Sequence, residues 1–137
     1  MSTELPLHHH TDTTAALPAF ARLLRIMDEL REHCPWDKKQ TFETIRHLSI
    51  EEVYELSDAI LEADWPGMQG ELGDLLLHIV FYARMADEAG RFDISAVLNG
   101  VCDKLVRRHP HIYGTVEAKD SETVVANWEQ IKQQEQG

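Results

Sequence analysis

Basic residues are scarce in this chain of 137: 13 Lys and Arg stand against 24 Asp and Glu, for a formal net charge of −11. That balance excludes a general nucleic-acid polymer binder, because phosphate backbones attract basic faces and are repelled by acidic ones. Long apolar runs are also missing. The longest, Leu75 to Ala83, is broken by His78 and falls well short of the ~20 residues that span a bilayer. The N-terminus has no apolar stretch of the secretory type, so the expected location is the cytoplasm, without a membrane partner. The two cysteines, Cys34 and Cys102, form no CxxC pair and no disulfide spacing, as expected of a reduced compartment. There is no glycine-rich phosphate loop and no Ser–His–Asp or Cys–His nucleophile pattern. What is left, 43% apolar and 27% charged residues, describes one ordinary globular domain.

Residues 1–16 are polar and Thr-rich and include His8, His9 and His10. They read as a mobile tail ahead of a single domain over 17–137, the three histidines being alternatively a weak metal site or the remnant of a tag. Helical periodicity dominates the rest. Phe20, Leu23, Leu24, Met27 and Leu30 form one stripe, with Pro18 suited to the first turn. Cys34-Pro35-Trp36-Asp37 interrupts that helix. A second pattern runs from Ser49 to about Asp64 and stops at Trp65-Pro66-Gly67. A third, from Met68 to Ala89, is apolar nearly all round between Leu72 and Ala86, which predicts burial on every face, partly by another subunit. Asp93 caps a fourth helix through about His109, and Ser121 a short last one carrying Val124, Val125, Trp128 and Ile131. No alternating strand pattern competes. The expected fold is all-α, an antiparallel bundle of about four to five helices around a central acidic hairpin.

The charge is unevenly spread. Between Arg46 and Arg84 there is no Lys or Arg, yet eight acids lie there: Glu51, Glu52, Glu55, Asp58, Glu62, Asp64, Glu71 and Asp74. Glu52 and Glu55 are helical neighbours, as are Glu71 and Asp74. In a hairpin turning at Trp65-Pro66-Gly67 the two pairs come within less than one turn of facing each other. Four convergent carboxylates without an internal cation suit a hard divalent ion, Mg²⁺ or Mn²⁺. The bland alternative is surface charge, with Ser49-Ile50-Glu51-Glu52 acting as a capping box.

Lys104, Arg107 and Arg108 form a basic cluster on the fourth helix. Such side chains hold phosphate oxygens, and equally they make surface ion pairs with acids such as Asp103. Trp36 sits in polar company with Asp37, Lys38 and Lys39, so its ring can stack a nucleobase with Lys38 beside it, or cap the core. Trp128, on an apolar stripe, suits the core better. His78 reads as a satisfied core or interface histidine.

Four segments taken in order resemble the MazG family of nucleoside triphosphate pyrophosphohydrolases: Cys34-Pro35-Trp36-Asp37 with Gln40-Thr41, Glu51-Glu52-Val53-Tyr54-Glu55, Gly70-Glu71-Leu72-Gly73-Asp74, and Lys104 through His111. The resemblance covers about residues 18 to 135. It implies an all-α core that dimerises or forms a higher homo-oligomer, a Mg²⁺ site, and hydrolysis of NTPs or dNTPs between the α and β phosphates. It implies Glu52, Glu55, Glu71 and Asp74 as metal ligands, Lys104 and Arg108 as phosphate contacts, and Trp128 near the substrate. Glu51 is then a candidate general base, and Lys104, Arg107 and Arg108 would offset charge on the leaving pyrophosphate. Two other classes stand beside this one. A non-enzymatic helical interaction module needs no metal. A carboxylate-bridged di-metal oxidoreductase wants Glu-x-x-His motifs, and neither Glu52 nor Glu71 has a histidine three residues on.

Overall fold

The computed structural model describes residues 5–136, among which there are seven helices and no strand. Residues 1–4 of the expected tail lie outside the described residues. The chain divides between Ala89 and Gly90 into two compact units.

The first unit holds α1 (Thr13–His33), α2 (Pro35–Lys39), α3 (Phe42–Leu61) and α4 (Trp65–Glu88). Residues 5–12 are exposed and carry no helix. Asp12 accepts from the Thr14 backbone N–H at 3.1 Å and so starts α1 at Thr13. Residues 13–16 are therefore helix and not tail, and Pro18 falls in the second turn instead of the first. At its far end the Cys34 N–H donates to the Leu30 carbonyl, and Pro35 opens α2 at a position that needs no N–H.

α3 begins seven residues before the expected Ser49. Thr41 and Thr44 cap each other reciprocally, so the helix is nucleated there. Ser49 lies mid-helix and caps nothing. The Ser49–Glu52 capping box is thereby removed as an explanation for Glu52. The turn into α4 passes through Ala63, in the left-handed region at φ 54°, to Asp64, whose carboxylate accepts from the Gly67 N–H at 3.0 Å. Pro66 and Gly67 thus lie in the first turn of α4, which starts at Trp65 and not at Met68.

Contacts between α3 and α4 run in opposite directions along the two helices. Phe42 stacks on Tyr82 (5.9 Å, 7°), Ser49 bonds to His78 and Tyr82, and Glu55 meets Glu71. The pair is an antiparallel hairpin. α1 packs beside it, and the core consists of Met27, Ile45, Val80, Phe81 and Met85, with Phe20, Leu23, Leu24, Leu48 and Leu77 against them. Each fully buried apolar side chain of this size contributes about 1.5–3 kcal/mol.

Only one face of α4 is covered. Val80, Phe81, Ala83, Met85 and Ala86 are buried, whereas Leu72, Leu76 and Ile79 are 54%, 40% and 41% exposed. Within the first unit α1 and α3 cover part of the helix only, and the share of burial expected from another subunit falls on the face carrying Leu72, Leu76 and Ile79. Gly90, at φ 70°, takes the left-handed conformation just after α4.

The second unit holds α5 (Ile94–Arg108), α6 (Pro110–Tyr113) and α7 (Ser121–Gln136). Asp93 caps α5 by accepting from the Ala96 N–H at 2.9 Å. On α7 the accepting side chain is Asp120, bonded to the Thr123 N–H at 2.8 Å, so the capping oxygen comes from one residue before Ser121. The short helices α2 and α6 account for the count above four to five. No helix among the described residues is long and apolar enough to cross a membrane.

Candidate metal centre

The hairpin brings Glu52 and Glu55 of α3 against Glu71 of α4. Each offers a carboxylate oxygen, and the three oxygens lie within 4.8 Å of one another. This is the one such acidic group among the described residues, and no histidine, His8 to His10 included, belongs to it. Glu52 and Glu71 are half-buried and Glu55 exposed. Glu52 Oε2 and Glu71 Oε2 are shut off from solvent and make no hydrogen bond. Asp74 lies one turn along α4 from Glu71, exposed and outside the three-oxygen group.

Crowding of like charge shows in the titration of the cluster. Contact with Glu71 raises Glu55 above the usual carboxylate range, and the charges of Glu71 and Glu51 push the same way. Contact with Glu52 raises Glu71, aided by burial and by the charges of Glu52 and Asp74. Among the described residues no Lys or Arg forms an ion pair with these acids. An all-oxygen donor set with two unpartnered buried oxygens fits a hard divalent cation, and the residues present therefore fit the Mg²⁺ or Mn²⁺ expected from the sequence.

Next to the cluster, Ser49 Oγ is 3.0 Å from His78 Nδ1 and 2.6 Å from Tyr82 Oη. Burial lowers the His78 pKa against the opposing charge of Asp74. His78 is thus a hydrogen-bonded histidine of the helix interface, as its place on an apolar helix suggests.

Of the other candidates, Trp36 is 54% exposed on α2 with Lys38 exposed beyond it. Within the second unit Arg107 and Arg108 both pair with Glu135, Arg108 Nη2 at 2.9 Å from Oε1. This double pairing pushes Glu135 down to about 2. Trp128 is half-buried between Arg108 and Lys132, each cation 5.0 Å from its ring. Lys104 is exposed on α5. Periodicity gave no hint of Glu135, because its partners lie 27 and 28 residues away on another helix.

Residues 40–113 match the family model of the MazG nucleotide pyrophosphohydrolase domain. The chain belongs to the MazG family. The matched stretch includes the acidic cluster, Asp74, Lys104, Arg107 and Arg108, and leaves Trp36, Lys38 and Trp128 outside. Over 117 residues this MazG chain is 52% identical to a nucleoside triphosphate pyrophosphohydrolase of Escherichia coli (strain K12), covering 83% of the chain and 44% of that relative. Over 120 residues it is 45% identical to a nucleoside triphosphate pyrophosphohydrolase/pyrophosphatase MazG of Thermotoga maritima, covering 86% of the chain and 46% of that relative. The chain thus spans less than half the length of these two curated relatives. Its fold is similar to the crystal structure of a MazG-related protein from Thermotoga maritima, with a TM-score of 0.71, 26% identity, and coverage of 82% of this chain and 98% of that one.

Proposed function

We propose that this MazG-family chain hydrolyses nucleoside triphosphates between the α and β phosphates, giving a nucleoside monophosphate and pyrophosphate, with Mg²⁺ or Mn²⁺ required. The observation that carries the reading is the group of three carboxylates with two buried, unpartnered oxygens. Glu52, Glu55 and Glu71 would hold the cation, with Asp74 completing the set from the next turn of α4. A bound divalent ion supplies charge neutralisation on the phosphate oxygens and acidifies water.

The chain's own groups do the rest. Glu51 is exposed and near enough to bear on Glu55, and it takes the proton of the water that attacks phosphorus. The bridging P–O bond breaks and pyrophosphate leaves. Lys104, Arg107 and Arg108 offset the charge on the phosphates, where substrate must compete with Glu135 for both arginines. Trp36 and Lys38 contact the base, and Trp128 lies near the nucleotide, which is a mononucleotide and not a polymer. A second copy of the chain covers Leu72, Leu76 and Ile79, making a homodimer or higher oligomer. The expected setting is the cytoplasm.

The oxidoreductase reading is disfavoured because α3 and α4 supply Glu-x-x-Glu and Glu-x-x-Asp, with no histidine in the acidic group. Pyrophosphate release from a panel of NTPs and dNTPs, with Mg²⁺, with Mn²⁺ and with chelator, tests the proposal. Cation-dependent release of pyrophosphate is expected. Release of orthophosphate alone would refute cleavage between the α and β phosphates, and no release from any nucleotide would refute the hydrolase and leave the interaction module.

A further inference from the structure

Arg31, in the last turn of α1, engages all three of its guanidinium nitrogens. Nε lies 2.9 Å from Glu88 Oε2 and Nη2 3.0 Å from Glu88 Oε1, a two-pronged fork on the end of α4. Nη1 donates to three backbone carbonyls, those of Asp37 (2.7 Å), Gln40 (2.9 Å) and Lys38 (3.2 Å). Asp37 and Lys38 belong to the end of α2, a helix of five residues, and Gln40 is its C-cap, whose own N–H also donates to the Asp37 carbonyl. The guanidinium lies 5.8 Å from the Phe81 ring centroid, and the side chain is only 14% exposed.

The anchor is itself held. Glu88 also receives Arg84 Nε at 3.1 Å, and Arg84 reaches Asp28 at 2.5 Å. The segment closes on itself where Gln40 Nε2 donates to the Trp36 carbonyl at 2.8 Å, and Thr41 then opens α3 at once. The backbone from Cys34 to Gln40 is thus fixed through one half-buried arginine. Its side chains are treated differently, since Trp36 stays 54% exposed and Lys38 is exposed as well. The arrangement fixes the backbone that carries an exposed aromatic ring and a cation before any ligand arrives.

We propose that Arg31, seated on Glu88, is a positioning residue that presents Trp36 and Lys38 as a fixed platform for the nucleobase, so that selectivity among bases depends on an ion pair that touches no substrate. This rests on the nucleotide-hydrolase reading above and on Trp36 meeting the base. Arginine is needed because a fork and a carbonyl donor must act together. A lysine at this position has one nitrogen and cannot reproduce the two-pronged fork on Glu88 together with the carbonyl contacts.

The test compares the whole wild-type chain with Arg31→Lys, Glu88→Gln and Trp36→Ala. The readouts are kcat and KM for each base, and the ¹⁹F spectrum of 5-fluorotryptophan-labelled protein without nucleotide, with Trp36→Phe identifying the Trp36 line. Arg31→Lys should raise KM about tenfold, keep kcat for the best base within about twofold, and narrow the spread of kcat/KM between bases. It should shift or broaden the Trp36 line while the Trp65 and Trp128 lines stay put. Glu88→Gln should act in the same direction more weakly, and carries the same readouts if Arg31→Lys does not fold. An unmoved Trp36 line, or a moved line with KM and base spread unchanged, overturns the proposal. If Trp36→Ala leaves KM and base spread at wild-type values, the platform itself is refuted, whatever Arg31→Lys does. Wild-type protein that releases no pyrophosphate refutes the parent reading first, and this proposal with it.

Discussion

Glu52 on α3 and Glu71 on α4 face each other with one oxygen apiece, Oε2, cut off from both solvent and hydrogen-bond donors. Neighbouring carboxylates held in this way favour any cation that enters between them. Mg²⁺ or Mn²⁺ should therefore raise the melting temperature, and at 100 times its Kd a ligand specific for the folded state adds about 2.7 kcal/mol. Calorimetry with Mg²⁺, with Mn²⁺ and with chelator measures this. Identical melting in all three would remove the metal centre.

Neutralising one member of the cluster should separate stability from activity. Contact with Glu71 raises the Glu55 pKa, so in metal-free protein the folded state holds protons more tightly than the unfolded one. The resulting penalty is present at neutral pH and relieved as pH falls through the raised value. Glu55→Gln should accordingly raise the metal-free melting temperature near pH 7 and abolish the gain from Mg²⁺. Turnover should fall about a hundredfold or more, since disturbing even outer-shell groups of metal sites costs 10–100-fold. A variant that melts lower without metal, or keeps wild-type turnover, would show that Glu55 is no ligand.

The acidic cluster was largely legible in the sequence, and for a plain reason. Spacing of three puts Glu52 beside Glu55, and the helix break marked by Trp65-Pro66-Gly67, made just before it at Ala63 and Asp64, returns Glu71 to them. The absence of Lys and Arg between Arg46 and Arg84 then leaves these acids without a partner. Asp74 shared the spacing but not the contact, because side-chain reach across a seam depends on helix rotation, which spacing alone does not fix. The start of α3 was misread for a related cause. Ser49-x-x-Glu52 satisfies a capping pattern, yet the Thr41–Thr44 pair upstream caps first, and Ser49 turns to His78 and Tyr82 instead. Contacts such as Arg31 with Glu88, 57 residues apart, leave no periodic trace at all.

Glu88 should contribute to the acid limb of the first unit's stability. Hydrogen bonding from Arg31 lowers its pKa, with Arg84 acting in the same sense against the opposing effect of burial. Its contribution is present above the ordinary glutamate value and is lost as pH falls through the depressed one, from about pH 5 downwards. Melting temperature followed over that range should fall more steeply in wild type than in Glu88→Gln. Parallel curves would mean that the Arg31–Glu88–Arg84 cluster adds nothing.

Two glycines of α4 should respond oppositely to alanine. A Cβ on Gly67 would sit 2.3 Å from Asp64 Oδ2, displacing the carboxylate that caps the helix, and loss of a cap costs about 1 kcal/mol. A Cβ on Gly73 would meet nothing within 4 Å, and a helix-interior Gly→Ala change stabilises by about 1 kcal/mol. Denaturant titration should rank the proteins Gly73→Ala, wild type, Gly67→Ala in falling stability. A reversal at either site would show that the local geometry of α4 differs from this one.

The exposed stripe of Leu72, Leu76 and Ile79 lies on the same helix as Glu71 and Asp74. A contiguous apolar face of this kind is stable in water when another surface covers it. If that surface is a second copy, Leu76→Glu places two like charges in the interface and should shift the chain towards monomer at micromolar concentration. Because Leu76 is 40% exposed within one chain, the substitution should cost the monomer's own stability about 1–2 kcal/mol, less than a fully buried site would. Light scattering coupled to size-exclusion chromatography reads the mass directly. A wild-type protein that is monomeric throughout, or a Leu76→Glu variant of unchanged mass, would rule out self-association through this face.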